Sequence, residues 1–261
     1  MEKAGISVVI PVHNEEPHLE SVVTKIVGYD VDEVIIVDDG STNGSSAIIR
    51  KLVKSHPKIK CLRIESNSGA CGLPRELGAL VAGGEYVAFC DSDLTNFDEV
   101  DYGRILEAAR ARKADLIIGD YTGKVGRITN FVARPLLQLF FPEIQINRVK
   151  TGQYCSSKKL LEHFVKTTRF PDWNSTISLL IFSFMNDYEA IEVDIGELHH
   201  VMKRDAELVC QSESVIRLIL AWAGYYGRTG GLGNLTPPEP RAADALLPLI
   251  RQNVIGGLAG K

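Results

Sequence analysis

The sequence predicts an α/β protein built on a mostly parallel central sheet with helices on both faces. Three observations predict it. Short β-branched runs alternate with amphipathic stretches through the first 120 residues. These runs are continuously apolar, as strands covered on both faces require. Polar clusters follow directly after them, where open parallel sheets bind their ligands. The composition agrees: among 261 residues, 45% hydrophobic and 24% charged content excludes wholesale disorder and leaves chain for a sizeable core.

Ile6–Pro11 reads as the first strand and Pro17–Val27 as an amphipathic helix. Glu33–Val37 is the second strand, halted by Asp38-Asp39-Gly40-Ser41-Thr42. A polar helix through Arg50 and Lys54 leads to a third strand, Lys60–Ile64. Pro74–Val81 reads as helix, Glu85–Phe89 as strand, Phe97–Arg112 as helix and Asp115–Ile118 as strand. Asn96, with Glu99 three residues on, has the form of a capping box for that last helix. Beyond residue 120 the pattern becomes helical: Arg127–Phe141 with an interruption at Pro135, then Lys158–Lys166, Trp173–Phe184 and Ala206–Tyr226, with one strand at Ala190–Ile195. Residues 1–226 read as one domain, and 227–261 as a Gly- and Pro-containing tail with a helix over Ala242–Ile255.

The charge balance, 29 Lys+Arg against 33 Asp+Glu, provides no general electrostatic footprint for nucleic acid. The longest apolar runs, Phe131–Phe141 and Ile177–Met185, are too short to span a bilayer. Glu2 and Lys3 lead straight into Ile6–Ile10 without signal-peptide organisation, and the five cysteines form no CxxC pair. The expectation is a cytoplasmic protein.

Three polar clusters stand at predicted strand ends: Pro11-Val12-His13-Asn14-Glu15, Asp38-Asp39-Gly40-Ser41 and Asp91-Ser92-Asp93. In the third, an apolar run ends in two carboxylates spaced i, i+2, which extended chain places on one side. Two close carboxylates repel, and a divalent cation between them relieves the repulsion. Mg²⁺ and Mn²⁺ bind in this way, through one or two carboxylates plus substrate phosphates. The plainer alternative is a strand-end turn in which Asp93 caps the next helix.

Val8-Val9-Ile10-Pro11-Val12-His13-Asn14-Glu15-Glu16, Val34-Ile35-Ile36-Val37-Asp38-Asp39-Gly40-Ser41-Thr42 and Gly84-Glu85-Tyr86-Val87-Ala88-Phe89-Cys90-Asp91-Ser92-Asp93 together resemble the successive signatures of the family 2 nucleotide-sugar glycosyltransferases. Gly126-Arg127-Ile128-Thr129-Asn130 through Leu137, Thr151-Gly152-Gln153-Tyr154-Cys155 and Ile195-Gly196-Glu197-Leu198-His199-His200 are similar to segments of the glucosyl-3-phosphoglycerate and mannosyl-3-phosphoglycerate synthases. The resemblance covers residues 6–220 and implies a GT-A (Rossmann-like) fold, with a nucleotide-sugar half over 1–120 and a helical acceptor half over 121–226. It implies a metal-dependent, retaining transfer of a hexose from a UDP- or GDP-sugar to a small phosphorylated or carboxylated acceptor such as 3-phosphoglycerate. The cofactor implied is Mg²⁺ or Mn²⁺, and a homodimer is compatible with it.

Carried across residue by residue, the resemblance assigns Pro11, Val12, Glu15 and Asp38 to the nucleobase and ribose, and Asp91 with Ser92 to the ribose or donor sugar. Asp93 and His200 would hold the metal, with His199 an equal candidate to His200. Lys124, Arg127 and Thr129 would hold the acceptor, and Gly152 would lie near the acceptor and the transferred sugar. Four departures concern the rest. Cys71 stands where the synthases carry Lys, with Arg75 as a substitute, and Gln153 stands for a Glu. Thr176 stands for the acceptor-side Glu, and Met202 for an Asn. Two other readings remain: a polyprenyl-phosphate glycosyltransferase, and a non-catalytic nucleotide-sugar-binding protein.

Overall fold

In the computed structural model the chain is described over residues 3–69, 72–122, 126–167, 175–199, 205–230 and 251–255. The first half runs β1 (Ile6–Val12), α1 (Leu19–Gly28), β2 (Glu33–Asp39), α2 (Ser45–Ser55), β3 (Ile59–Ile64), α3 (Gly72–Val81), β4 (Tyr86–Phe89), α4 (Gly103–Arg110) and β5 (Leu116–Thr122). A π-helical turn, Thr129–Ala133, runs directly into α5 (Arg134–Phe140). Then come β6 (Tyr154–Ser157), α6 (Lys158–Thr167), α7 (Ser175–Met185), β7 (Ala190–Glu197), α8 (Asp205–Tyr225) and β8 (Arg251–Ile255).

One eight-stranded sheet has the order β7-β5-β6-β4-β1-β2-β3-β8. The pairs β1–β2, β1–β4, β2–β3 and β5–β7 are parallel. Alternate residues of each central strand enter different cores, as the two-residue period of extended chain demands. Val9, Ile35, Val37, Val87 and Phe89 face one core, which also buries Trp222 and Phe182. Val8, Ile10, Val34, Ile36 and Ala88 face the other, with Leu19, Val22 and Ile26 of α1. Burial on both sides is why these strands carry no polar alternation.

One strand was not expected, and four expectations need correction. The sequence reading did not include β6, which inserts antiparallel between β4 and β5 and pairs Phe89 with Tyr154. Residues just before Tyr154 therefore lie beside residues just after Phe89. The helix expected over Phe97–Arg112 begins only at Gly103. Asn96 does not cap it: its Oδ1 accepts from the His199 backbone N–H (2.7 Å) and its Nδ2 donates to the Glu197 carbonyl (2.9 Å), so it fastens the exit of β7. The predicted helix Arg127–Phe141 is split, its first part being a π-turn that precedes Pro135, a residue with no N–H for a regular ladder. Residues 251–255 are a strand, antiparallel to β3, where a helix over Ala242–Ile255 was expected. The pairing occupies backbone groups that the edge of β3 would otherwise present. Residues 242–250 lie outside the described segments.

Close packing of α3 on β1 rests on Gly78. A Cβ there would stand 2.4 Å from Val9 Cγ1. Alanine normally improves a helix interior by about 0.5–1 kcal/mol over glycine. Overpacking typically costs about 1–3 kcal/mol, so the clash wins. Gly78→Ala is expected to lower the urea midpoint by an amount equivalent to about 1–2 kcal/mol at constant m-value. A raised midpoint would show that α3 has room to move off β1.

Candidate active site

The carboxyl ends of β1 and β4, the loop entering β6 and the π-turn enclose one cavity of about 500 Å³. Pro11, Val12 and Glu15 line it from the end of β1, and Asp91, Ser92 and Asp93 from the end of β4. Lys150, Thr151, Gly152 and Gln153 come from the loop before β6, and Arg127, Ile128 and Thr129 from the start of the acceptor half. The parallel order of β1 and β4 is what brings their distant carboxylates together. Ser92, itself buried, fastens the two ends by donating its Oγ to the Pro11 carbonyl at 2.9 Å.

Asp91 is held from three sides. The guanidinium of Arg75, buried on α3, pairs with its Oδ1. The Gln153 amide faces both its Oδ2 (3.4 Å) and its backbone N–H (3.2 Å). Gly152 packs so tightly that a Cβ would fall 1.7 Å from Asp91 Oδ2. Glu15 is half-buried, and its carboxyl is pushed up to about 7, first by burial and then by the charges of Asp93 and Asp91. Three carboxylates thus converge in a place where full ionisation is opposed. No set of three His, Cys, Asp or Glu side chains among the described residues has the spacing of a complete metal cage. A hard cation that takes one or two carboxylates and fills its shell with substrate phosphates fits this donor set.

Arg127 is exposed at the cavity rim, and Thr129 is buried beside it. Asp38, assigned to the nucleobase and ribose, is held at the end of β2. It is buried and does not line the cavity, accepting from the Ser41 N–H (2.9 Å), Ser46 Oγ (2.8 Å) and the Arg63 guanidinium. Its neighbour Asp39 lines the cavity instead, where it accepts from both the N–H and Oγ of Ser68. His199 is exposed, 3.2 Å from a Glu197 carboxylate oxygen, and is not part of the cavity lining. Thr176 is buried and donates to the Thr151 carbonyl at 2.6 Å, supporting the loop from behind. His200, Lys124, Cys71 and Met202 lie outside the described residues.

A family model described as Glycosyl transferase family 2 matches residues 7–163, a span that includes β1, β4 and the loop into β6. The chain belongs to that family. As a glycosyltransferase it is 32% identical over 269 aligned positions to the glucosyl-3-phosphoglycerate synthase of Mycobacterium tuberculosis, covering 93% of this chain and 81% of the relative. A crystal structure of the M. tuberculosis enzyme in complex with Mn²⁺, UDP-glucose and phosphoglyceric acid superposes with a TM-score of 0.71 at 29% identity, covering 85% of this chain and 80% of that one. Another, with Mg²⁺ and UDP, has a TM-score of 0.71 at 27% identity and the same coverage. The GT-A architecture is therefore shared.

Several cavity residues were not singled out in the sequence. Tyr121 lines the cavity with the buried Arg148 beneath it, the guanidinium carbon 3.8 Å from the ring centre. Burial raises the Tyr121 phenol above its ordinary range, so the hydroxyl stays protonated. Lys150 adds a cation on the loop entering β6. The missing signal was β6 itself: without its antiparallel return, nothing ties residues 150–153 to the end of β4.

In the protein without ligands, the Glu15 carboxyl binds its proton more tightly than in the unfolded chain, whose value is near 4.5. Stability is therefore highest below pH 4.5, as far as this group is concerned, and declines as pH rises through the window from 4.5 to about 7. After allowance for solvent screening of a half-buried group, Glu15→Gln should stabilise the protein by about 1 kcal/mol at pH 8 and by almost nothing at pH 4. Denaturant titrations at the two pH values check this, and equal effects at both would refute the assigned cause.

Proposed function

We propose that this glycosyltransferase moves a hexose from a nucleoside diphosphate sugar, UDP- or GDP-linked, to a small phosphorylated or carboxylated acceptor, with 3-phosphoglycerate as the leading candidate. The observation that carries the reading is a single cavity that holds both the Glu15, Asp91 and Asp93 carboxylates and the cations Arg127 and Lys150. A donor diphosphate and an anionic acceptor need both kinds of surface. The complex of the M. tuberculosis relative with Mn²⁺, UDP-glucose and phosphoglyceric acid supports the choice of ligands.

In this reading Pro11, Val12 and Glu15 border the nucleobase, and Asp91 faces the ribose or donor sugar. Asp93 and His200 hold Mg²⁺ or Mn²⁺, which when bound neutralises the departing diphosphate as a Lewis acid. Arg127, Thr129 and Lys124 hold the acceptor anion; guanidinium geometry suits bidentate capture of phosphate or carboxylate. Gly152, packed against Asp91, lies through its backbone near the acceptor and the transferred sugar. The transition state gains positive character at the anomeric carbon and negative charge on the leaving group. Fixing the acceptor hydroxyl against that carbon supplies a large share of the acceleration. Transfer with retention has the hydroxyl enter on the face from which the diphosphate leaves, its proton passing to a diphosphate oxygen. A cytoplasmic setting and a homodimer complete the proposal.

One observation favours a second reading. An apolar concavity of about 760 Å³ adjoins the cavity and shares Arg127, Ile128 and Leu208 with it. Phe131 and Val209 on its walls are 76% and 67% exposed. An acceptor phosphate carrying a long hydrocarbon, as in polyprenyl phosphates, would place its charge at Arg127 and its tail along that wall. Among the described residues no helix is long and apolar enough to cross a membrane.

A thermal-shift screen of UDP-, GDP- and ADP-sugars with Mg²⁺ or Mn²⁺, with and without 3-phosphoglycerate or a polyprenyl phosphate, separates these readings by mass action. One donor should stabilise the wild type only when metal is present. Asp93→Ala should remove that stabilisation and lower turnover by about 100-fold or more. Undiminished turnover of chelator-treated Asp93→Ala would overturn the metal assignment.

A further inference from the structure

We infer that Gln153 is a positioning residue that presets Asp91 for the sugar portion of the donor. The inference rests on the reading that, of the ribose and the donor sugar, Asp91 faces the donor sugar. Gln153 is 1% exposed and fixed at its main chain, its carbonyl accepting from the Gly119 N–H at 2.9 Å and its N–H donating to Thr151 Oγ1 at 3.1 Å. The β4–β6 register, Phe89 beside Tyr154, launches its side chain at the end of β4.

The orientation of the amide follows from its partners. The Asp91 backbone N–H lies 3.2 Å away and can only donate, so it takes Oε1. That leaves Nε2 to face Asp91 Oδ2, to which it donates across 3.4 Å. One side chain thus satisfies the backbone and the carboxylate of a single residue, using one acceptor and one donor. Gln is suited to this pair of tasks. Met has a similar length but no polar atoms to meet either partner.

The other two constraints on Asp91 come from Arg75 at Oδ1 and from Gly152, where any Cβ would overlap the carboxyl. With these in place the Asp91 carboxylate has one orientation before ligand arrives, and ordering it costs binding nothing. Loosening it should weaken recognition of what Asp91 touches and leave the diphosphate and base contacts intact.

The test compares Gln153→Met and Gln153→Ala with wild type by calorimetry, using UDP-glucose and UDP with Mn²⁺ (GDP-mannose and GDP if the guanine donor is selected), alongside steady-state kinetics. Gln153→Ala provides the measurement if Met cannot be accommodated at this buried position. The variants are expected to lose about 10-fold or more in affinity for the nucleotide sugar while binding the nucleotide alone within about twofold of wild type. A purely structural role would weaken both ligands together and lower Tm, and that result overturns the inference. So does an unchanged preference for the nucleotide sugar over the nucleotide. Wild type that binds neither ligand overturns the donor reading itself, a failure visible before any variant is made.

Discussion

The convergence of like charge at the carboxyl ends of β1 and β4 is the constraint around which the rest of the site is arranged. Glu15, Asp91 and Asp93 share one cavity, and the Glu15 carboxyl is pushed up to about 7, first by burial and then by the charges of Asp93 and Asp91. Burial adds to the repulsion because a low-dielectric wall screens it less than water does. The fold offsets part of this cost from below, with the buried guanidinium of Arg75 on one Asp91 oxygen and the neutral Gln153 amide on the other. Asp93, carried two residues further on, faces the same cavity. A cation delivered with a diphosphate would complete the charge balance that the protein leaves partly unmet.

The parallel half of the fold was legible in the sequence because its physics is local. Continuous apolar runs announce strands covered on both faces, and β1, β2, β3 and β4 form where those runs lie. The polar clusters at their ends were equally visible, and the cavity draws Pro11, Val12, Glu15, Asp91, Ser92 and Asp93 from them. What could not be read was pairing between distant segments. Tyr154–Ser157 is short and has no alternation to mark it, so β6 was missed, and with it the contact of Gly152 and Gln153 with Asp91. Asn96 shows the same limit: its spacing to Glu99 suits a cap, but a tertiary partner, the backbone at His199, takes its oxygen. Asp38 and Asp39 are neighbours in sequence, yet Arg63 on β3 draws Asp38 into the sheet while Asp39 remains at the cavity.

The proposed acceptor side is built from the π-turn, the loop entering β6 and the residues behind it. Thr176 does not line the cavity and holds the Thr151 carbonyl from behind. Tyr121, stacked on Arg148, and Lys150 supply polar surface near the same loop. The π-turn presents Thr129 inward while exposing Phe131, so one short segment borders both the charged cavity and the apolar concavity. In the proposed reading, donor chemistry sits on the strand ends and acceptor choice on the turn and on α8.

The central claim is that the acidic corner is an incomplete metal site finished by the donor's phosphates. Calorimetric titration of Mn²⁺ into the protein, alone and with saturating UDP, measures this directly as a coupling free energy. The account predicts weak binding of Mn²⁺ alone and an affinity at least about 10-fold higher with UDP present, with the reciprocal effect of Mn²⁺ on UDP. Equal Mn²⁺ affinity in the presence and absence of UDP would contradict it.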